Sequence, residues 1–157
     1  MRIGLLAVGR LKPGPIRSLF EDYARRIKWP LSSTEVEERR PLPPPALTSR
    51  EGGLLLEALE DAVRKHSDPV IVALDERGTI FTSSAFAERI GQWRDGGRDP
   101  VFLIGGADGL APSVLERAEF TLSLGAMTWP HLIVRVLLAE QLYRAQSILA
   151  GHPYHRG

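Results

Sequence analysis

Past residue 130 the chain gathers side chains that move protons and hold anions. His131, His152 and His155 are three of its four histidines, and Arg135, Arg144 and Arg156 stand against a single acid, Glu140. The sequence closes on GHPYHRG, which brings two imidazoles, the Tyr154 phenol and a guanidinium together. An imidazole titrates near neutral pH and suits general-base work. A guanidinium stabilises charge developing on an oxygen. Three histidines also suggest zinc. Against a metal, His152 and His155 follow a proline-containing turn rather than share one helix face, and no carboxylate lies near them in sequence. The bland alternative is a frayed terminus.

A second cluster is GGADG at Gly105 to Gly109, directly after the apolar run Val101 to Ile104. Glycines without side chains let a ligand approach backbone closely. No Lys-Ser/Thr follows, so the loop is not a P-loop, and the spacing is not that of a dinucleotide fingerprint. A glycine loop without basic residues favours a cofactor that lacks phosphates, such as an adenosine-type ligand; a plain strand-to-helix turn is the competing reading. The segment AMTWPH offers Met127 and Trp129 as apolar walls, or as ordinary core. Asp75 and Asp108 at strand ends are candidate bases or ligand contacts, with turn and capping roles as the alternative.

The elements that must position these groups alternate. Ile3 to Val8 reads as a buried strand. Pro13, Gly14 and Pro15 open a helix with Ile16, Leu19, Phe20, Tyr23 and Ile27 on one stripe. Residues 33–40 make at best a polar edge strand, and PLPPPA at 41–46 reads as a stiff loop. Thr48 and Glu51 sit at capping-box spacing ahead of a second helix with Leu54, Leu55, Leu59, Ala62 and Val63. Val70 to Leu74 is a strand apolar on both faces, as in a covered parallel sheet. Thr82 to Trp93 is a third helix, Val101 to Ile104 a strand, Val114 to Ala118 a short helix, and Thr121 to Leu124 a strand. A helix of about five turns runs from Leu132 to roughly Leu149. This order predicts one α/β domain over 1–157, a doubly wound sheet whose ligands bind beyond the carboxyl ends of the strands. The last helix is apolar nearly all round and needs partners on two sides; a second subunit is the expected cover for one.

The chain has 157 residues and a formal net charge of +1, which argues against broad, sequence-blind gripping of nucleic acid. The balance is uneven along the chain. Residues 1–40 carry 9 basic and 5 acidic side chains, residues 41–100 carry 7 and 10, and residues from 131 onward carry 3 and 1. Basic surface is therefore expected at both ends of the chain, fit for a local contact. The absence of cysteine excludes disulfides and thiolate chemistry and suits a cytoplasmic protein. No stretch approaches a membrane span. The apolar run near the N-terminus stops at Arg10 and reads as a strand rather than a signal peptide.

Taken together, LIGGADGL, SLGAMTWPHLIVRVLLAEQLYRA and HPYHR, with AVGRLK and DYARRI near the start, resemble the RlmH-type SPOUT methyltransferase family. The resemblance covers nearly the whole chain and is strongest from Val101 to Arg156. It implies a SPOUT-type parallel sheet with helices on both faces and a C-terminal trefoil knot. It further implies a homodimer that binds S-adenosylmethionine and methylates N3 of a pseudouridine in helix 69 of 23S rRNA in assembled ribosomes. By motif position the cofactor contacts are Leu74, Gly105, Leu124, Gly125, Ala126, Met127, Thr128 and Trp129, with no metal. For that reaction His155 is the expected base, Arg144 and Arg156 the expected stabilisers of carbonyl charge, and Tyr154 the group that stacks on or hydrogen-bonds the target base. Ala107 and Asp108 depart from the family's usual Pro-Glu or Ser-Asn, and PLPPPALTSR at 41–50 replaces a stretch often rich in Lys and Gly. The alternatives are a non-catalytic nucleotide-binding or ribosome-assembly factor, and a metal-dependent hydrolase.

Overall fold

The computed structural model describes residues 1–155, the last of them as backbone alone. Its strands are β1 (Ile3–Val8), β2 (Leu31–Val36), β3 (Pro69–Ile80), β4 (Asp99–Ile104) and β5 (Phe120–Ser123). Its helices are α1 (Pro15–Arg26), α2 (Pro44–Val63), α3 (Ser83–Asp95), α4 (Pro112–Leu115) and α5 (His131–Leu149), followed by one helical turn at Pro153–His155. The strands form one sheet in the order β2-β1-β4-β3-β5, and all their pairings are parallel.

Side-chain alternation along the central strands builds a core on each face of this sheet. Ile3, Leu5 and Ala7 of β1 and Phe102 and Ile104 of β4 pack with Phe20 of α1, Ile90 and Trp93 of α3, and Leu138 and Leu142 of α5. Leu6, Val8, Val101 and Leu103 point the other way, onto Leu55 and Leu59 of α2 and Val114 of α4. A strand apolar at every position is what such two-sided cover demands. No residue of α5 is exposed, because α1 and α3 flank it within the one chain.

Several boundaries differ from the sequence expectation. The proline run is not all loop: α2 begins at Pro44, with prolines in its first turn. There the missing N–H has no intrahelical partner to lose and the fixed φ is already helical. Thr48 consequently lies inside the helix, and the expected capping box with Glu51 does not form. The edge strand sits at Leu31–Val36, and α4 and β5 each begin earlier than expected.

The largest difference is in β3, which continues past Leu74. Leu74 and Thr79 both align with Leu122 of β5, so Asp75, Glu76, Arg77 and Gly78 form an excursion between two paired stretches. Asp75 is thus at a strand irregularity rather than in a terminal loop. A Cβ on Gly78 would stand 2.8 Å from backbone atoms of Thr121 and Leu122. Backbone cannot give as a flexible side chain can. Gly78→Ala should therefore destabilise the fold by about 1–3 kcal/mol, read as a lower denaturant midpoint in urea unfolding, whereas Gly53→Ala, where a Cβ meets open space, should not.

Candidate active site

A cavity of about 430 Å³ opens at the carboxyl ends of β4 and β5, beside the excursion in β3. After β3 the chain turns to α3 on one face, and after β4 it turns to α4 on the other. Divergence of neighbouring loops leaves a crevice, the usual ligand position in an open parallel sheet. Leu74, Gly105, Leu124, Gly125, Met127, Thr128 and Trp129 line it, together with the β3 excursion and His131. Ala126 is not among the lining residues. Met127 is largely exposed, and Trp129 is exposed in part. Both are rim rather than buried core.

Two local devices shape the walls. Gly105 is packed so tightly against the far end of its own loop that a Cβ would lie 2.4 Å from the Gly109 carbonyl oxygen. After β5, the buried Ser123 hydroxyl donates to the Gly125 carbonyl (3.1 Å) and accepts from the Gly125 N–H (3.2 Å), which pins the loop that leads to Trp129. The sequence reading did not single out Ser123. Its only signal was a hydroxyl two residues before a glycine at a strand end, the setting of a side-chain-closed turn.

The cavity's ionisable lining is mostly acidic: Asp75, Glu76 and Asp108 with one cation, Arg77. Asp75 receives Arg77 Nε at 2.8 Å and Nη2 at 3.0 Å, and this pairing holds its carboxyl below the ordinary range. A carboxylate so held is a weak base, so Asp75 is poorly suited to the catalytic role considered from sequence. Behind the glycine loop, burial and the nearby Asp108 raise the Glu51 carboxyl.

His131 opens α5 at the cavity wall. Burial first, and then the neighbouring Arg135 cation, lower its pKa. It is accordingly neutral at physiological pH. Arg135 itself is fully buried: Nη1 donates to Glu35 Oε1 at 2.6 Å, and Nη2 to the carbonyls of Val8 (2.6 Å) and Gly9 (2.5 Å). Of the basic residues expected to form surface at the C-terminal end, Arg135 does not. Arg135 is core, and Arg144 pairs with Glu140 at 2.6 Å.

The expected catalytic residues form a separate cluster. The Tyr154 hydroxyl lies 3.4 Å from both the Tyr23 hydroxyl and Glu140 Oε1, its ring meets Tyr143 edge-on at 4.6 Å, and Arg144 lies over it at 5.1 Å. Burial and the Tyr23 hydroxyl raise the Tyr154 phenol, so it is a neutral donor, not a base. Glu140, noted in the sequence only as the one acid of this segment and given no role, organises this cluster; its signal was the i, i+4 spacing to Arg144. Neither Tyr154 nor Arg144 lines the cavity, and His131 and Arg144 are thirteen helical steps apart, about 20 Å along α5. One chain therefore does not bring Tyr154 or Arg144 to its own cavity. The His155 side chain and Arg156 lie outside the described residues. Among the described residues no three His, Asp or Glu converge on a metal-sized site, and no helix is long and apolar enough to cross a membrane.

Comparison with known proteins follows this geometry. A family model described as Predicted SPOUT methyltransferase matches residues 1–155. The chain is 54% identical over 157 residues to Ribosomal RNA large subunit methyltransferase H of Rhodospirillum centenum, covering 99% of each chain. It is 53% identical to the protein of that name from Paramagnetospirillum magneticum, again with 99% of each covered. Among solved structures, a probable methyltransferase from Bordetella pertussis shares the fold with a TM-score of 0.59 at 17% identity, over 92% of this chain and 95% of that one. The methyltransferase AviRb from Streptomyces viridochromogenes, solved in complex with AdoMet, gives a TM-score of 0.54 at 17% identity, over 92% of this chain and 58% of that one.

The depressed His131 pKa has a stability consequence. Its folded value lies below the ordinary 6.5, so the unfolded chain binds the extra proton more readily. Stability is full above about pH 6.5 and falls as pH drops below it. His66, also depressed by burial, acts in the same direction. His131→Gln should thus lose less stability than the parent between about pH 8 and about pH 5, measured by urea denaturation at both.

Proposed function

Because the chain belongs to the SPOUT methyltransferase family, we propose that it transfers a methyl group from S-adenosylmethionine to large-subunit ribosomal RNA, the substrate named for its relatives. The observation that carries this reading is that Leu74, Gly105 and most of the 124–129 loop, separate in sequence, line one cavity. The finer target, N3 of a pseudouridine in helix 69 of 23S rRNA in the assembled ribosome, follows the sequence resemblance and places the enzyme in the cytoplasm. The C-terminal trefoil knot belongs to the same reading.

The cavity suits this cofactor. S-adenosylmethionine carries a sulfonium and an ammonium but no phosphate. Its two cationic groups match Asp75, Glu76 and Asp108, while its carboxylate would fall to backbone N–H groups, because Arg77, the arginine among the described lining residues, is paired with Asp75. Gly105 and the loop from Leu124 to Trp129 would hold it through backbone groups, with Leu74 and Trp129 as apolar contacts. When bound, it supplies an electrophilic methyl group on sulfur.

The chain's own residues must then align N3 and remove its proton. His155 is assigned the proton; His131, neutral at the cavity wall, is the comparison residue. Arg144 and Arg156 would stabilise charge on the flanking carbonyl oxygens, and Tyr154 would donate to or stack on the base. Since Tyr154 and Arg144 do not line the cavity of their own chain, we assign them to the cavity of a second copy in a homodimer.

Ribosomes lacking the modification, incubated with labelled S-adenosylmethionine, should acquire label in 23S rRNA only when the protein is present. Cofactor binding without label would instead support a non-catalytic ribosome-assembly factor. Gly105→Ala should weaken cofactor binding by calorimetry at least about tenfold, since 1.4 kcal/mol of loop displacement suffices. Arg144→Ala should keep cofactor affinity and lower the rate about 10²-fold. Mixed dimers of these two variants should regain activity, because an intact cavity then meets an intact tail; no recovery would place the tail in its own subunit. Loss of the acid limb of the pH–rate profile in His155→Ala, but not in His131→Ala, would support the base assignment; the reverse would transfer it to His131.

A further inference from the structure

The β1–α1 loop, the segment after β2 and the start of α2 together carry Arg10, Lys12, Arg39, Arg40 and Arg50. Two carboxylates, Glu37 and Glu38, lie among them. Glu37 takes Arg10 at 3.6 Å and Arg39 at 3.4 Å, while Glu38 takes Arg40 at 2.9 Å and Arg50 at 3.1 Å. The nearby Glu35 is committed to the buried Arg135.

The acids lie inward and the cations outward. The side chains of Arg10, Arg39, Arg40 and Arg50 are 60%, 71%, 65% and 43% exposed, against 36% for Glu37 and 9% for Glu38. Lys12 is exposed and has no ion pair among the described residues. The Glu38 carboxyl is pulled down to about 2 by Arg40 and Arg50, so it stays ionised and keeps both guanidiniums in place. A carboxylate that orients guanidiniums without covering them leaves their outer donors free for other oxygens. Five cations against two acids, of which Glu38 is shielded and Glu37 part-exposed, make this edge positive, although the whole chain is nearly neutral.

The edge borders the cavity. A Cβ on Gly106 of the glycine loop would touch Val8 at the end of β1 and Glu51, the residue after Arg50. Gly9, beside Arg10, packs against His131 of the cavity wall.

We propose that this edge is the surface that tracks the phosphate backbone of the substrate RNA and delivers the target base to the cavity. The inference rests on the function proposed above. Guanidiniums held in fixed positions select phosphate oxygens spaced along a strand, whereas an acidic protein partner needs no particular register. The prolines of 41–45 stiffen the connection between Arg40 and Arg50, so the array is set before RNA arrives.

The test is binding, kept separate from turnover. Filter binding of deproteinised 23S rRNA and of large-subunit particles is measured over a salt series for the parent and for the triple variant Arg10→Gln, Lys12→Gln, Arg39→Gln. Arg40 and Arg50 are spared because they pair with the shielded Glu38. Calorimetric affinity for S-adenosylmethionine and thermal melting check the fold, with single Lys12→Gln and Arg39→Gln variants as smaller perturbations. The triple variant should bind both RNA forms about tenfold or more weakly near 0.1 M salt, with a log–log salt slope shallower by about 2. Replacing Arg10 and Arg39 with lysine should retain most of the affinity, and Lys65→Gln, beyond the far end of α2, should change nothing. Unchanged affinity and slope in the triple variant would overturn the proposal. A defect seen with particles but not with bare RNA would also overturn it, by making the partner a ribosomal protein. Failure of the methyltransferase reading would show differently: the parent would bind RNA with the expected salt dependence yet transfer no methyl.

Discussion

The buried Arg135 guanidinium is the joint on which the cavity depends. Carrying a full charge into the core is unfavourable unless its donors find strong acceptors. Here the carbonyls of Val8 and Gly9 and the carboxylate of Glu35 accept from Nη1 and Nη2, while the buried Nε has no partner among the described residues. Glu35 also accepts from the Leu11 N–H at 2.9 Å. One charge thereby fixes the start of α5, the edge strand and the β1–α1 loop relative to one another. The loop from Gly125 to Trp129 is tethered at one side by Ser123 and at the other by α5, so its position at the cavity follows from that joint.

The length of α5 then divides the chemistry. Its first turn stands at the cavity, and its middle turns carry Glu140, Tyr143 and Arg144 to a tyrosine-rich seat for the tail on α1. A helix is stiff, so the two ends stay apart in one chain. In the proposed homodimer, the cluster of one copy would meet the cavity of the other.

The sequence reading placed most elements because buried parallel strands announce themselves as short apolar runs, as in Val101–Ile104 and Ile3–Val8. It misplaced the start of α2 because prolines, helix breakers in an interior, are acceptable in a first turn, and only packing of Leu55 and Leu59 says where that turn begins. It ended β3 at Leu74 because Asp-Glu-Arg-Gly looks like a loop. Pairing with Leu122 on both sides of those residues is a tertiary matter. The glycine loop stood out by its residue types and the 124–129 segment by the family resemblance, and both line the cavity, whereas Ser123 and Glu140 act through partners that spacing alone suggests only weakly.

Charge marks the boundary between the two levels most clearly. By itself the sequence determined the number of arginines, the absence of cysteine, the alternation of strand and helix, and the family. It did not determine what each arginine does. Arg135 and Arg156 look alike along the chain, yet Arg135 is a buried structural cation, while Arg77 is neutralised by Asp75 and Arg39 remains displayed to solvent. Burial and distance to a carboxylate decide which charges reach a partner, and both are set only when the strands, helices and loops have packed.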